Sequence, residues 1–314
     1  MLENNISYNQ HSLELFAHQK HLNDFVSLYE KSLFPSALLL SGKKGIGKHT
    51  LVNHFLNYIF NKDTETPYDL KNQIINKDST FNRSLINNLC SNIIYLNAGS
   101  TEGVKIDQIR KLKQVLSKTT LDSKPRFIIF NEAEKLNLNC ANALLKILEE
   151  PTKKNYFILI DNNQSKIVET VTSRCIKYNI FLSPVSRNKI IEFFLSSSSF
   201  KSTITHEINT LTPGLFLEFN EILNQNNITS DTVIFESISA LLKVYKKSKN
   251  LIIINLCSFL VEQHFHKLII QNSNNINTLI SLKNNIIKNF KNLVEFNLNV
   301  TSVLNSIEIK LKNV

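Results

Sequence analysis

Tryptophan is absent from this sequence, and methionine, cysteine, glycine and proline are scarce, at one, four, six and six of 314 residues. No apolar run reaches the roughly 18 residues that a membrane-spanning helix requires, and the polar amino terminus is unlike a signal peptide. The cysteines lie far apart, which excludes CxxC zinc ligands and makes a disulfide framework unlikely. These features argue against a membrane protein, a secreted scaffold and a zinc ribbon, and they predict a cytoplasmic protein.

The charge balance is basic. Thirty-six Lys and Arg residues against 26 Asp and Glu give a formal net charge of +10, while 42% hydrophobic and 20% charged residues are typical of a soluble globular protein. A basic chain favours an acidic partner such as nucleic acid. A generally basic, solvated surface is an equal alternative at this point.

The first half of the chain alternates apolar runs with helical periodicity. Continuous apolar runs at residues 36–41, 92–96, 126–130 and 156–160 predict strands covered on both faces. Amphipathic segments between them predict crossover helices, and together they indicate a doubly wound parallel α/β domain over residues 1–180. Residues 62–91 are polar and weakly periodic, and they are interpreted as an insertion or surface excursion.

The second half reads as helices only. Ser183 and Pro184 resemble an N-cap followed by a first-turn proline. The sequence predicts a small helical domain over residues 181–227, including a short helix before Pro213, and a larger helical domain over residues 228–314. The expected fold class is therefore α/β plus all-α.

A glycine-rich turn after the first strand is the strongest local motif. Gly42, Gly47 and Lys48 fit G-x-x-x-x-G-K, and Gly45 adds a further glycine inside the loop. Glycines let backbone N–H groups wrap a phosphate, and the lysine reaches the outer phosphates of a nucleotide. The motif therefore predicts a phosphate loop that binds ATP or ADP.

The residues expected to hold Mg²⁺ depart from the pattern of an active ATPase. His49 stands where the motif needs Ser or Thr, and Thr50 comes about 100° further around the helix. Asn131 and Glu132 follow the apolar strand where Asp-Glu is usual, so the metal-orienting charge is missing while Glu132 remains as a vestigial base. Both changes predict weak Mg²⁺ binding and little hydrolysis.

Four segments resemble the AAA+ clamp-loader subunits of bacterial DNA polymerase III. They are SGKKGIGKHTL, RFIIFNEAEKLNLNCANALLKILEEP, FILIDNNQSKIVETVTSRC and LTPGLFLEF. The resemblance implies an AAA+ core, a helical lid and a C-terminal helical collar as the three domains. It also implies a polar sensor at Asn162 and an arginine finger at Arg174, offered to the ATP of a neighbouring subunit.

Within this family, the chain is most similar to the delta-prime type. The motor type, gamma or tau, implies an intact phosphate loop, an Asp-Glu pair, four zinc-binding cysteines and a lid arginine. Here only Cys90 lies in the insertion region, and the lid position matches Gly214. The resemblance thus implies a stator that keeps Arg174, requires no cofactor of its own and binds no zinc.

The partners implied are motor-type and delta-like subunits in a hetero-oligomeric ring, primer–template DNA, and indirectly the sliding clamp, with no membrane. Two alternatives stay open: an active motor-type ATPase, and a module that holds nucleotide without hydrolysis. Without the context of this motif, the expected role of Arg174 would be an ion pair with a nearby carboxylate. Glu134 is expected to be an exposed helix-start residue.

Overall fold

The structure, a computed structural model, describes residues 13–98, 103–118, 124–150, 154–196, 202–204, 211–271 and 275–311. The chain divides into two compact units, one formed by residues 1–197 with 209–215 and the other by residues 198–208 with 216–314. The predicted separation of three domains at residues 180 and 227 stays a prediction.

A parallel sheet forms the centre of the first unit. Its described strands are β1 (Ala37–Ser41), β2 (Ile93–Asn97), β3 (Arg126–Asn131), β4 (Asn155–Asp161) and β5 (Ile176–Asn179), in the order β2-β3-β4-β1-β5. Every pairing is parallel, and the register sets Ser41 opposite both Asp161 and Asn179. The carboxyl ends of β1, β3 and β4 therefore meet at one edge, as the predicted α/β fold requires.

Helices cover both faces of this sheet, as the continuous apolar runs predicted. They are α1 (Gln19–Glu30), α2 (Lys48–Asn61), α3 (Thr80–Ile86), α4 (Ile106–Leu116), α5 (Leu138–Glu149) and α6 (Glu169–Thr172). Helix α7 (Pro184–Ser196) follows β5 in the chain. Leu38 and Leu40 of β1 join the core formed with α1 and α2. Leu39, between them, joins the opposite core with α4 and α5. The α/β class is thus confirmed.

Strand β5 was not predicted, because it lacks the apolar signature of the other four. It lies at the edge of the sheet, and Ile176, Lys177 and Asn179 are exposed. Because this edge strand is largely exposed, it has no continuous apolar run. Its pairing with β1 is made by the backbone, so the residue types do not indicate a strand.

The interpretation of residues 62–91 as a surface excursion is wrong for part of that segment. Tyr68, Ile75, Phe81 and Leu85 are buried in the core shared with α1 and α2. Phe81, on α3, stacks on Phe60 with ring centroids 4.6 Å apart and planes within 5°. Phe81 and Leu85 show the i,i+4 spacing of one helical turn, but Tyr68 and Ile75 lie among mostly polar residues. The segment as a whole therefore looks polar although it completes one face of the core.

The second unit is helical, which confirms the predicted all-α part of the fold class. Helix α8 (Pro213–Gln225) begins in the first unit, to which residues 213–215 belong, and residues 216–225 belong to the second. The other described helices of the second unit are α9 (Ile234–Ser248), α10 (Leu251–Gln271), α11 (Ile276–Glu295) and α12 (Val300–Leu311). Helix α9 packs on α10, α10 on α11, α11 on α12 and α12 on α9, so the four close on one another. The short helix expected before Pro213 lies largely outside the described residues. Among the described helices, none is long and apolar enough to cross a membrane.

The Phe60–Phe81 stack generates a prediction about residues 62–91. Phe81→Ala should lower the free energy of unfolding by about 3 kcal/mol, because it removes a buried aromatic ring and leaves a cavity. Phe181→Ala is the matched control, since Phe181 is 79% exposed, and it should change stability by less than about 0.5 kcal/mol. Urea denaturation of the isolated chain measures both. Equal small effects would mean that the segment does not contribute to the core.

Candidate nucleotide site

The glycine-rich loop lies between β1 and α2, as the motif predicts. Gly45 and Gly47 have φ angles of 79° and 96°, in the left-handed region that favours glycine. A Cβ atom on Gly42 would lie 2.5 Å from the backbone oxygen of Ile180. All three glycines therefore meet a backbone or packing requirement in this loop, independent of any ligand.

Lys48 is turned back into its own loop. Its Nζ donates to the carbonyl oxygens of Gly42, at 2.6 Å, and Lys43, at 2.8 Å, and the side chain is almost completely buried. Burial lowers the pKa of Lys48 to about 8, a shift that nearby carboxylates of Glu134, Asp161 and Glu132 partly oppose. The lysine expected to meet phosphate thus holds the loop instead.

The remaining loop carbonyls are bound from two other segments. His18 Nε2 donates to the oxygen of Ile46 at 2.7 Å. Thr212 Oγ1 donates to the oxygen of Lys44 at 2.7 Å, and the backbone N–H of Gly214 donates to the oxygen of Gly45 at 2.8 Å. Residues far apart in the chain therefore fix the loop from both sides.

Two glycines allow the loop and the start of α8 to touch. A Cβ on Gly214 would lie 2.6 Å from the Cα of Gly45, and one on Gly45 would lie 2.5 Å from Thr212 Oγ1. Both distances are shorter than any ordinary carbon contact. Gly214, which the resemblance matches to the lid position, thus serves a close backbone approach.

His49 is packed against protein. Its ring stacks on Tyr95 with centroids 5.7 Å apart, and Nδ1 lies 3.3 Å from Asn53 Nδ2. Burial lowers the pKa of His49 to about 4, so the imidazole is neutral at physiological pH. Thr50, the next residue of α2, is half-buried. A neutral ring held by Tyr95 and Asn53 does not replace the hydroxyl that Mg²⁺ requires.

The end of β3 brings Glu132 to the same edge. Glu132 has left-handed backbone angles and lies 2.6 Å from Lys135 Nζ, with Lys44 Nζ 3.9 Å away. Two cations therefore neutralise the carboxylate expected to act as a base. Asn131, half-buried at the last position of β3, presents an uncharged amide where the metal-orienting carboxylate is expected.

Sequence reasoning missed Asp161 and misplaced Glu134. Asp161 ends β4, and its Oδ2 lies 2.7 Å from Ser41 Oγ while Oδ1 accepts from the N–H of Asn163 at 2.8 Å. Glu134 is 6% exposed, so the expectation of an exposed residue is wrong, and burial raises its pKa. A carboxylate at the end of an apolar strand was the available signal for Asp161, whereas the burial of Glu134 depends on tertiary packing.

Asn162, expected as a polar sensor, follows Asp161 directly at the edge of the sheet. It is 8% exposed. The structure therefore brings the loop, Asn131, Glu132 and Asn162 to the same sheet edge, with Asp161 and Glu134 among them. The role of Asn162 stays a prediction.

Arg174 lies on a different segment, just after α6. Its Nε donates to Glu149 Oε1 at 2.9 Å, Nη2 donates to the same oxygen, and Nη1 donates to the backbone oxygen of Thr170 at 2.9 Å. The side chain is 33% exposed. The guanidinium is thus paired with a local carboxylate and remains accessible at the surface.

The four cysteines are free thiols, and burial raises the pKa of Cys140, Cys257 and Cys175, the last to about 11. Such thiols are poor nucleophiles. Among the described side chains, no group of three or more His, Cys, Asp or Glu is placed to hold a metal ion.

The residues at the sheet edge do not fit Mg²⁺-dependent hydrolysis. The metal needs a hydroxyl and a free carboxylate beside a phosphate-binding lysine. This chain offers the stacked imidazole of His49, the amide of Asn131 and the ion-paired Glu132, with Lys48 bound to the loop itself.

Comparisons with known proteins point to replication proteins. A family model described as "DNA polymerase III, delta subunit" matches residues 17–183. The chain is 40% identical over 75 residues to the delta' subunit of DNA polymerase III from Buchnera aphidicola of Schizaphis graminum, covering 24% of this chain and 23% of that protein. It is 39% identical over 72 residues to the Bacillus subtilis delta' subunit, covering 23% and 22%.

Longer matches are weaker in identity. The chain is 27% identical over 157 residues to the gamma subunit from Buchnera aphidicola of Acyrthosiphon pisum, covering 50% of this chain and 41% of that protein. In all three curated relatives the match spans less than half of the relative's length. A crystal structure of a gamma subunit-related protein from Thermotoga maritima superposes with a TM-score of 0.47 at 14% identity, covering 92% of this chain and 98% of that chain.

His49 predicts a pH dependence of stability. Because its pKa in the folded chain is about 4 against an ordinary 6.5, the unfolded state binds a proton between these values and the folded state does not. Stability should therefore fall as pH falls from 6.5 to 4, by about 1–2 kcal/mol at pH 5 from this residue. His49→Gln should remove that part of the slope in denaturant titrations at pH 7.5 and 5.

The reference for this slope is the unmodified chain, measured in the same buffers. An unaltered slope in His49→Gln would contradict a half-buried, neutral imidazole.

Gly214→Ala tests the contact between the loop and α8. Alanine is the better helix former, yet its Cβ would overlap Gly45, so the free energy of unfolding should drop by about 1–3 kcal/mol. Gln225→Ala, at the exposed end of the same helix, should change stability little. Thermal unfolding compares them, and a stabilised Gly214→Ala would show that the two backbones are not in contact.

Proposed function

Because this chain belongs to the DNA polymerase III delta subunit family, we propose that it acts as a delta-prime-type stator in an AAA+ clamp loader. The resemblance to clamp-loader subunits is confirmed by the family match over the α/β region. In the proposed complex, motor subunits hydrolyse ATP to load the sliding clamp onto primed DNA. This chain serves as a rigid member of the ring and offers the side chain of Arg174 to a neighbouring subunit, and it hydrolyses no ATP itself.

The chain's own nucleotide site supports the stator role, and it is the observation that carries the proposal. Its loop carbonyls are bound by Lys48, His18, Thr212 and Gly214 of the same chain. The metal-site positions hold a stacked imidazole and an amide. A loop held by internal hydrogen bonds has a fixed shape without ATP, which suits a rigid member of a moving ring.

Arg174 supplies the proposed contribution to catalysis. It sits at the end of α6 with part of the guanidinium accessible. An arginine offered to a neighbour's ATP stabilises the charge that develops on the transferred phosphoryl group. The chain has lost the features of its own metal site and retained this arginine, which is the combination the delta-prime type implies.

The proposed partners are motor-type and delta-like subunits in a hetero-oligomeric ring, contacting the sliding clamp indirectly, in the cytoplasm. The +10 net charge suits attraction to the primer–template backbone without sequence preference. The helices α9–α12 are the part proposed to join the collar of the ring.

Metal-free nucleotide holding is a second candidate. The left-handed Gly45 and Gly47 retain the shape of a phosphate loop, and ATP or ADP binding would require Lys48 to leave the carbonyls of Gly42 and Lys43. Equilibrium titration of the chain with ADP, with and without Mg²⁺, tests this candidate. Tight ADP binding that Mg²⁺ does not strengthen would favour metal-free nucleotide holding over a stator that binds no nucleotide.

Hydrolysis by the isolated chain is the first test. We expect no Mg²⁺-dependent ATP turnover above background, because the metal-site residues are replaced. Turnover near ~1 s⁻¹ or faster, at the slow end of ordinary enzymes, would contradict the stator proposal and support the motor-type alternative.

Arg174→Ala is the second test, in a complex reconstituted with motor-type and delta-like subunits. An arginine finger raises the hydrolysis rate at its site by about 10³-fold or more. The variant should therefore abolish turnover at the one site that Arg174 serves, and the ATPase rate of the complex should fall by at least the contribution of that site. Folding of the variant should be unchanged. Arg83→Ala is the matched control, an exposed arginine in a surface ion pair with Asp78. An ATPase rate equal to that of the control would remove the finger from the proposal.

A further inference from the structure

The surroundings of Arg174 are more specific than a surface ion pair requires. Two of its nitrogens, Nε and Nη2, donate to the same atom, Glu149 Oε1. A third nitrogen, Nη1, donates to the backbone oxygen of Thr170. These contacts come from two elements, the last residue of α5 and the first turn of α6, so the guanidinium is held against both.

The held guanidinium still has donors to offer. A guanidinium carries five N–H bonds, and the three strong contacts use one each on Nε, Nη1 and Nη2. The second N–H of Nη1 makes only a long contact of 3.4 Å with Ser173 Oγ. The second N–H of Nη2 has no acceptor among the described residues, and the side chain is one third exposed. Arg174 can therefore reach an anion outside the chain while Glu149 and Thr170 keep their contacts.

We propose that Glu149 is a positioning residue for Arg174: its Oε1 holds the guanidinium oriented so that the second N–H of Nη2, with the weakly engaged second N–H of Nη1 beside it, faces a neighbour's phosphate. This inference rests on the proposed function of Arg174. Without an acceptor on α5, the long side chain would sample several staggered rotamers at each torsion. Releasing one or two torsions lowers the population of the productive orientation by about 3–10-fold.

The identity of the accepting atom gives the proposal a sharp test. Since both donors converge on Oε1, a glutamine at this position supplies the same acceptor without the negative charge. At the one site that Arg174 serves, Glu149→Gln should retain turnover within about twofold, whereas Glu149→Ala should lower it by about 3–10-fold. The complex with Glu149→Ala should therefore lose most of the rate that Arg174→Ala removes. KM for ATP should stay unchanged in both, because an arginine finger acts in the transition state.

The experiment measures ATP turnover of the reconstituted complex with five forms of this chain: Glu149→Ala, Glu149→Gln, Arg174→Ala, the double variant Glu149→Ala/Arg174→Ala and Glu150→Ala. Glu150 is the matched control, an exposed neighbouring glutamate that is not a partner of Arg174, and its variant should behave as the unmodified chain. The double variant should be no slower than Arg174→Ala alone, because Glu149 acts only through Arg174.

The outcomes separate this inference from the proposed function. If Arg174→Ala lowers kcat but Glu149→Ala leaves it unchanged or raises it, Glu149 does not position the finger, and the finger itself stands. A Glu149→Gln variant as slow as Glu149→Ala would also overturn the role of Oε1. If Arg174→Ala has no effect, the proposed function fails and this inference fails with it. Equal unfolding midpoints for the Glu149 variants exclude a general structural cause.

Discussion

Hydrogen bonds from this chain to the carbonyl oxygens of residues 42–47 fix the shape of the glycine-rich loop. The other features of the site depend on this constraint. A phosphate loop binds by presenting N–H groups to an anion, and its carbonyls must point elsewhere. Here Lys48 satisfies two of those carbonyls and His18, Thr212 and Gly214 satisfy three more. The loop is therefore stable without a ligand, at the cost of engaging the lysine that would bind one.

The charges at the same edge of the sheet are balanced by side chains of this chain. Glu132, Glu134 and Asp161 gather around Lys48, and Lys44 and Lys135 balance the charge of Glu132. Asn131 adds no further negative charge to this cluster. Charge is thus balanced inside the chain, where an active ATPase would use Mg²⁺ and phosphate for part of that balance.

Local sequence patterns predicted most of the strands and helices. The side-chain contacts of the candidate site depend on residues far apart in the chain, which these patterns do not show. The apolar runs of β1, β3 and β4 and the glycine spacing of the loop depend on near neighbours, so they could be read directly. The contact of Gly214 with Gly45 joins segments far apart in the chain and has no local signature. The burial of Glu134 and the pairing of Arg174 with Glu149 likewise depend on packing between elements, and the exposed strand β5 carried too weak a pattern.

The central claim is that ATP turnover in the complex occurs at other subunits and never at this chain. It is tested most directly by measuring ATP hydrolysis in a complex assembled from this chain and motor subunits whose own phosphate-loop lysines are replaced. The account predicts no turnover above background, because the remaining site lacks the groups that hold Mg²⁺. Turnover near ~1 s⁻¹ in that complex would contradict it.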